Sequence, residues 1–238
     1  LQQADKIPEL EDLGMADDVF KLFSSLLHLP QGMLLVTGPT GSGKSSTLFS
    51  FLKRAHKPEV NTMTIEDPIE YELEGVNQSQ INIKAGVTFP NALRAFVRHD
   101  PDIILVGEIR DQETAQLATE AAITGHLMLS TVHTNDAPST VTRIVEMGVE
   151  PYLLSDALKA VLAQRLVRRV CQHCATKHDP EPELLDALGL EPGDLEGARI
   201  VHGRGCDSCL HTGYEGRMAI HELLIVTPEI ETMIHRRA

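Results

Sequence analysis

Short apolar runs alternate with helix-like segments along most of this 238-residue chain. Runs of apolar, β-prone residues predict strands at 33–37, 62–65, 103–106 and 127–132. Apolar residues at helical spacing predict helices at 17–29, 46–52, 88–98 and 112–124. Asp111 and Gly125 flank the last of these helices as its expected N-cap and C-terminal cap. Strands that alternate with helices predict an α/β fold, with a mainly parallel sheet covered on both faces.

The pattern changes after residue 150. A long helix is predicted from 151 to 169, and a strand from 217 to 226. Residues 171–214 hold all four cysteines, many turn formers and little apolar periodicity, which is typical of a small separate lobe. Residues 1–14, where isolated leucines alternate with charged residues, are interpreted as a linker from a preceding N-terminal domain. The predicted organisation is therefore a linker at 1–14, a large core at 15–170 and a small lobe at 171–214. A return strand at 215–238 begins a C-terminal subdomain.

Composition narrows the function classes. The formal net charge of −13 argues against a nucleic-acid machine, whose surface is usually basic. No apolar run reaches the roughly 20 residues that span a bilayer, and no signal peptide is visible in the polar N-terminal residues 1–5, so the cysteines are expected in a reducing compartment. Because the first residue is Leu1, we interpret the sequence as part of a longer protein.

A glycine-rich phosphate-binding motif lies between the predicted strand 33–37 and the predicted helix 46–52. Its glycines let backbone N–H groups close around a phosphate, and the helix N-terminus adds partial positive charge. Lys44 is expected to reach the β- and γ-phosphates, and the Ser45 hydroxyl to bind Mg²⁺. The alternative is a chance glycine turn before a helix. The motif predicts binding of a nucleoside triphosphate through Gly38, Pro39, Thr40, Gly41, Ser42, Gly43, Lys44, Ser45 and Ser46.

Two predicted strands end in carboxylates. Glu108 follows the apolar run 103–106, as a metal-side acid does, and Glu66 begins an acidic cluster after 62–65. Hydrolysis needs one acid that serves Mg²⁺ and another that activates water, and these two could divide that work. The alternative is that both merely cap strand ends in solvent. His133, just beyond the run 127–132, could sense the γ-phosphate or could be an ordinary surface histidine.

The cysteines form two Cys-x2-Cys pairs separated by 31 residues. Each such pair supplies two thiolates from one tight turn, so the two pairs predict a closed, structural zinc site. Four free cysteines or a redox pair are the alternatives. The predicted ligands are Cys171, Cys174, Cys206 and Cys209.

The combination of motifs resembles the secretion ATPases of the type II secretion and type IV pilus assembly systems. The resemblance covers nearly the whole chain and rests on the phosphate loop 38–45, an aspartate box at 64–71, a Walker B box at 106–111 and a histidine box at 125–136. The two cysteine pairs resemble the type II secretion and pilus-extension branches, since pilus-retraction ATPases generally lack them.

The resemblance implies a RecA-like P-loop NTPase core plus a small zinc-binding lobe, with ATP, Mg²⁺ and Zn²⁺ bound. It implies a hexameric ring of identical subunits at the cytoplasmic face of the inner membrane, peripheral to it and not inserted. Its implied partners are the inner-membrane secretion platform and adaptor proteins, with no nucleic acid. It also implies roles for Glu66 as general base, Glu108 on the magnesium side and His133 as a γ-phosphate-linked residue. An N-terminal domain of the family contributes arginines to the site.

Three function classes stay open on the sequence. The leading interpretation is an ATP-hydrolysing motor for pseudopilus assembly in type II protein secretion, with type IV pilus extension as the nearest alternative. A nucleic-acid translocase or DNA-uptake motor could use the same core, but the acidic balance and the few aromatic residues argue against it. A non-hydrolysing nucleotide switch is the third class, and the acids at Glu66 and Glu108 argue against that.

Overall fold

The computed structural model describes residues 7–195 and 197–237. The chain divides into two compact units, Leu1–Leu166 with Ala219–Ala238 as unit 1 and Val167–Met218 as unit 2. The cysteine-containing lobe predicted at 171–214 falls within unit 2. Among the described residues, no helix has the length and apolar character needed to cross a membrane.

A seven-stranded sheet forms the centre of unit 1, with strand order β3-β2-β4-β5-β1-β6-β9. Its strands are β1 (Gly32–Thr37), β2 (Thr62–Glu66), β3 (Asn77–Gln80), β4 (Ile103–Val106), β5 (Leu127–Val132), β6 (Leu158–Val170) and β9 (Tyr214–Ile225). The strands from β3 to β6 in this order pair in parallel. The helices of unit 1 are α1 (Asp17–Ser25), α2 (Lys44–Ala55), α3 (Phe89–Phe96), α4 (Gln112–Ile123), α5 (Ala137–Glu146), α6 (Pro151–Ala157) and α8 (Pro228–Arg236).

The central strands are apolar throughout because both faces of the sheet are covered. In β1, Met33 and Leu35 pack into one core cluster with α3 and α4, whereas Leu34 and Val36 pack into a second cluster with α1 and α2. Successive side chains of a strand point to opposite faces, so one strand supplies both layers. The predicted α/β fold with a mainly parallel sheet is confirmed.

The caps predicted for α4 are present. The carboxylate of Asp111 accepts a hydrogen bond from the Thr114 backbone N–H at 2.9 Å. Gly125, just beyond the helix, adopts a φ of +114°, which a side chain would disfavour. The predicted strands and helices before residue 150 each correspond to an observed element, within a few residues at the ends.

The predicted long helix at 151–169 is wrong. The helix α6 ends at Ala157, and strand β6 begins at Leu158. Leu162 pairs with Val36 of β1, and side chains along β6 alternate between the two core clusters. Its leucines, alanines and arginines are good helix formers, but pairing with β1 and burial on both faces override that preference.

Strand β3 and helices α5 and α8 of unit 1 have no counterpart among the elements predicted from the sequence. Strand β3 reads Asn-Gln-Ser-Gln and lies at an edge of the sheet, so it has no apolar alternation. Helix α5 follows the histidine box directly, and Asp136 caps it through the Ser139 backbone N–H at 2.7 Å.

The residues that precede α1 pack on unit 1. Ile7 and Leu10 are buried in its core clusters, and Leu10–Leu13 form a short 3-10 helix. The linker interpreted at 1–14 is therefore packed from residue 7 onward, and residues 1–6 lie outside the described part of the chain.

Unit 2 contains a small antiparallel pair, β7 (Ala175–Lys177) and β8 (Val201–Gly203), and a short helix, α7 (Pro182–Leu188). Three of the four leucines in or next to α7 are exposed, namely Leu184, Leu188 and Leu190. The buried core described for this unit consists of cysteines, with Cys171, Cys174 and Cys209 as its members.

Candidate functional site

The glycine-rich loop connects the end of β1 to the first residue of α2, as predicted. Gly38, Gly41 and Gly43 all have positive φ values, of +142°, +77° and +88°. Gly43 is the N-cap of α2, so the loop places its backbone at the positive end of a helix dipole. Such a turn is an anion-binding structure, and phosphate is the anion that it suits.

Lys44 lies across this loop. Its side chain is mostly buried, and Nζ donates hydrogen bonds to the backbone oxygens of Gly38 at 2.9 Å and Pro39 at 3.1 Å. Burial lowers the pKa of Lys44, and the nearby carboxylate of Glu108 acts in the opposite direction. The ammonium group is therefore held at the mouth of the loop, beside an acid from a neighbouring strand.

The residues after Lys44 contact the aspartate box. The Ser45 hydroxyl donates to Oε1 of Glu70 at 3.3 Å, and the Ser46 hydroxyl lies 3.3 Å from that of Tyr71. Glu70 belongs to the acidic cluster, but no role was predicted for it. Its contact with a predicted magnesium ligand makes it a further acid of this site.

Glu66 ends β2 and is only 3% exposed. Its Oε1 accepts hydrogen bonds from the Thr64 hydroxyl at 2.6 Å and from Nε2 of Gln78 at 3.1 Å. Burial raises the pKa of Glu66, and these two hydrogen bonds oppose the rise. Gln78 lies on β3, the strand that the sequence interpretation lacks, so this partner could not be foreseen.

Glu108 follows β4 and is 9% exposed. One carboxylate oxygen lies 2.5 Å from Nη2 of Arg110, and the other lies 3.5 Å from Nε2 of His133. The structure thus brings two predicted site residues, Glu108 and His133, into contact. Arg110 is a third member of this cluster, and no role was predicted for it from the sequence.

Hydrogen bonds connect the histidine box to β1, the strand that leads into the phosphate loop. The Thr134 backbone N–H donates to the Thr37 hydroxyl at 2.8 Å, and the two threonine hydroxyls lie 2.7 Å apart. Thr140 on α5 extends this chain of hydroxyls, 2.7 Å from Thr134. Thr37, which belongs to none of the four motifs, therefore links the backbone next to His133 to the strand that leads into the phosphate loop.

All of these groups meet at one edge of the sheet. Glu66, Glu108, His133 and the phosphate loop come at or after the carboxyl ends of β2, β4, β5 and β1, four neighbouring parallel strands. Ligands of open α/β sheets bind at this edge. Since Glu66 and Glu108 are both buried, they are not carboxylates that merely cap strand ends in solvent.

The four cysteines of unit 2 form a second cluster, in which all four Sγ atoms lie within 4.8 Å of one another. The Sγ atoms of Cys171 and Cys206 are 3.9 Å apart, as are those of Cys174 and Cys209, and the Cys206–Cys209 distance is 3.8 Å. Four thiolates about 2.3 Å from a tetrahedral Zn²⁺ would be separated by about 3.8 Å. A disulfide bond of about 2.05 Å does not fit these distances.

The backbone around Cys209 also suits a thiolate. Its Sγ accepts hydrogen bonds from the backbone N–H groups of Cys206 at 3.2 Å and Gly213 at 3.3 Å. Burial acts to raise the pKa of Cys209, but these backbone hydrogen bonds, together with contacts to the thiols of Cys206 and Cys174, outweigh it and lower the pKa to about 6. The donor set and its spacing fit a tetrahedral metal ion held by sulfur.

Sequence comparisons find relatives over nearly the whole chain. The family model described as "Type II/IV secretion system protein" matches residues 1–238. The type IV pilus assembly ATPase PilB of Thermus thermophilus is 59% identical over 234 residues, which cover 98% of this chain and 26% of that protein. The type II secretion system protein E of Pectobacterium carotovorum subsp. carotovorum is 51% identical over 228 residues, which cover 96% of this chain and 45% of that protein. The chain thus spans less than half the length of these relatives.

Solved structures show the same fold. The crystal structure of the pilus retraction motor PilT with bound ADP has a TM-score of 0.69 and 32% identity, covering 99% of this chain and 58% of that one. The Legionella pneumophila ATPase DotB has a TM-score of 0.67 over 95% of this chain and 53% of that one, and at 24% identity the likeness concerns the fold alone. With a family model that matches its full length, this chain belongs to the type II/IV secretion system protein family.

Proposed function

We propose that this chain is the ATP-hydrolysing part of a motor that powers pseudopilus assembly for type II protein secretion. The supporting observation is the arrangement at the carboxyl edge of the sheet, where the phosphate loop, buried Glu66 and the Glu108–His133 pair meet. A loop that only bound nucleotide would need no buried carboxylate of raised pKa at the same end of the sheet, whereas hydrolysis needs a proton acceptor for water.

Each residue of this edge has a task in the proposed reaction. The loop amides and Lys44 bind the phosphates of ATP, and Lys44 exchanges its bonds to the Gly38 and Pro39 oxygens for phosphate oxygens. Ser45 and Glu108 would hold Mg²⁺, which would neutralise phosphate charge. Glu66 accepts the proton of the attacking water. His133, held against Glu108, donates a hydrogen bond toward the γ-phosphate.

We further propose that the cysteine cluster binds one Zn²⁺ per chain through Cys171, Cys174, Cys206 and Cys209. The sulfur spacing and the backbone N–H donors to Cys209 support a closed structural site. With four protein ligands no position is left for a substrate, so the ion stabilises unit 2 and takes no part in hydrolysis.

The proposed assembly is a hexameric ring of identical subunits, in the cytoplasm and peripheral to the inner membrane. The secretion platform of that membrane and adaptor proteins are its proposed partners, and nucleic acid is not among them. Family membership and the formal net charge of −13 support this proposal.

Type IV pilus assembly is a second candidate for the whole protein. The observation that favours it is the 59% identity to a pilus assembly ATPase, against 51% to a type II secretion protein. Deletion of the parent gene separates the two: loss of secreted enzymes supports the secretion motor, and loss of surface pili supports the pilus motor.

The test of the activity is steady-state ATP hydrolysis by the purified parent protein and by its Glu66→Gln variant. We expect hydrolysis by the wild type, with a loss of about a hundredfold or more in the variant, because glutamine keeps the shape but cannot accept a proton. Equal rates would overturn the assignment of the base. Strong stimulation by DNA would favour the translocase, and nucleotide binding without turnover would favour the switch.

A further inference from the structure

The side chain of Gln164, on β6, contacts the phosphate loop. Gln164 follows Ala163, which pairs with Thr37 at the end of β1, so Gln164 lies beside the start of the loop. The residue is 4% exposed. A buried amide is costly unless its donor and acceptor groups are both satisfied, so the partners of this side chain show what it does.

The amide ties the loop to the helix that follows it. Its Nε2 donates to the backbone oxygen of Ser42 at 2.8 Å, and its Oε1 accepts from the Thr47 hydroxyl at 2.6 Å. Ser42 belongs to the phosphate loop, and Thr47 lies in the first turn of α2. Thr47 is fully buried, so water does not compete for this contact.

Two of the loop glycines make room for this residue. A Cβ atom at Gly43 would lie 2.8 Å from Nε2 of Gln164, and one at Gly38 would overlap its backbone oxygen. A Cβ atom at Gly41 would meet no heavy atom within 4 Å among the described residues. Glycine is therefore needed at Gly38 and Gly43 partly because Gln164 packs closely against the loop at these two positions.

We propose that Gln164 is a positioning residue for nucleotide binding, an inference that rests on the function proposed above. In a trans peptide the C=O and N–H groups point in opposite directions. A bond that holds the Ser42 C=O toward Gln164 therefore turns the Gly43 N–H away from Gln164, where it is free to donate to phosphate. Gln164 acts on the nucleotide through the orientation of this peptide and touches no phosphate itself.

The test is the affinity for MgADP, measured by calorimetry on the full parent protein and its variants. Gln164→Leu keeps the size of the side chain but removes the donor to Ser42. We expect its dissociation constant to rise by about tenfold, the effect of losing one buried hydrogen bond. Thr47→Val leaves that donor in place, so its effect should be clearly smaller, and Thr47→Ser should restore wild-type affinity.

A second variant, Gln164→Glu, is tested through the pH dependence of its affinity for MgADP, which a loss of packing would not change. Gln164→Glu keeps an acceptor for Thr47 but sets a carboxylate oxygen against the Ser42 oxygen. When this buried carboxyl is protonated at low pH it becomes a donor again. Its MgADP affinity, relative to the wild type at the same pH, should recover as the pH falls. This measurement also decides the matter if Gln164→Leu does not fold.

Thr119→Val is the matched control. It removes another fully buried hydroxyl, bonded to the Ala115 oxygen within α4, and should lower stability without changing affinity. A folded Gln164→Leu protein within twofold of wild-type affinity, or a Gln164→Glu affinity that never recovers at low pH, overturns the inference. If the wild type itself does not bind MgADP, the proposed function fails. If Lys44→Ala abolishes binding and the Gln164 variants do not weaken it, only the role of Gln164 fails.

Discussion

At the scale of single residues, Glu66 and Glu108 are both buried carboxylates, but their partners differ. Glu66 receives hydrogen bonds from the neutral groups of Thr64 and Gln78, whereas Glu108 contacts Arg110 and His133. Neutral donors and burial suit a group that must take up a proton during turnover. A cationic neighbour such as Arg110 suits a group that stays anionic and helps to hold a metal ion.

This difference predicts different magnesium behaviour for the two glutamine variants. In Glu66→Gln, we expect turnover to fall by about a hundredfold or more with an unchanged Mg²⁺ requirement. In Glu108→Gln, we expect the Mg²⁺ concentration for half-maximal rate to rise along with the loss of turnover. Magnesium titrations of the steady-state rate measure both, and the reverse pattern would mean that the two roles are exchanged.

Glu66 also predicts a pH-dependent cost in stability. Its folded-state pKa is raised by burial, so the folded state binds this proton more tightly than the unfolded chain does. The free energy of unfolding therefore falls as the pH rises from the pKa of Glu66 in the unfolded chain to its pKa in the folded protein. At a pH above both values the loss is complete. Glu66→Gln should raise the free energy of unfolding at pH 7, with a difference that shrinks toward about pH 4.

The measurement is denaturant unfolding of both proteins between pH 4 and pH 8, without nucleotide and magnesium. Thr64→Val is a useful control, because it removes a hydrogen bond to Glu66 but leaves its charge. A glutamine variant that is less stable than the wild type at pH 7, or a difference independent of pH, would contradict this account of Glu66.

At the scale of elements, the strands with the clearest apolar runs could be predicted, and two others could not. Runs such as 103–106 are apolar because both faces are buried, so burial is visible in the residue types themselves. Strand β6 carries alanine, leucine and arginine, which suit a helix equally well, and only its pairing with β1 makes it a strand. Strand β3 is polar and depends on pairing with β2 at the edge.

The same limit applies to the candidate site. Contiguous motifs predicted the phosphate loop, Glu66, Glu108, His133 and the cysteines as site residues, because each motif is local in sequence. Their partners come from strands that were not predicted. Gln78 lies on β3, which had no counterpart in the prediction, and Gln164 lies on β6, which was predicted as a helix. Their roles follow from strand order, which composition and spacing do not encode.

The N-cap of α4 gives a prediction at this scale. Asp111 accepts hydrogen bonds from the backbone N–H and the hydroxyl of Thr114, so Asp111→Ala should lower the free energy of unfolding by about 1 kcal/mol. Asp111→Asn keeps an acceptor at the same place and should lose much less. Chemical denaturation measures both, and equal losses in the two variants would show that capping is not the cause.

At the scale of the whole molecule, the two units have different sources of stability. Unit 1 has two large apolar clusters on its sheet, whereas the described core of unit 2 consists of cysteines. A segment with so little apolar core depends on its metal for folding free energy. The proposed zinc ion is therefore expected to stabilise unit 2 alone.

Replacement of one ligand tests this expectation. Cys206→Ser, or removal of zinc by a chelator, should make backbone amides of residues 171–214 exchange fast with solvent, while protection around the phosphate loop stays unchanged. Hydrogen exchange followed by mass spectrometry gives the readout, with elemental analysis expected to find about one zinc per chain. Wild-type protein without zinc, prepared without chelators, would refute the site.

A titration of the parent protein and its Lys44→Ala variant with MgATP, at conditions where both are folded, tests nucleotide binding most directly. In the proposed site, a nucleoside triphosphate binds at the carboxyl ends of β2, β4, β5 and β1, through the loop that Lys44 crosses. We expect one MgATP per wild-type chain and a loss of affinity of at least about tenfold in Lys44→Ala, because the variant lacks the ammonium that would face the β- and γ-phosphates. Equal affinity of the two folded proteins would contradict this proposed site.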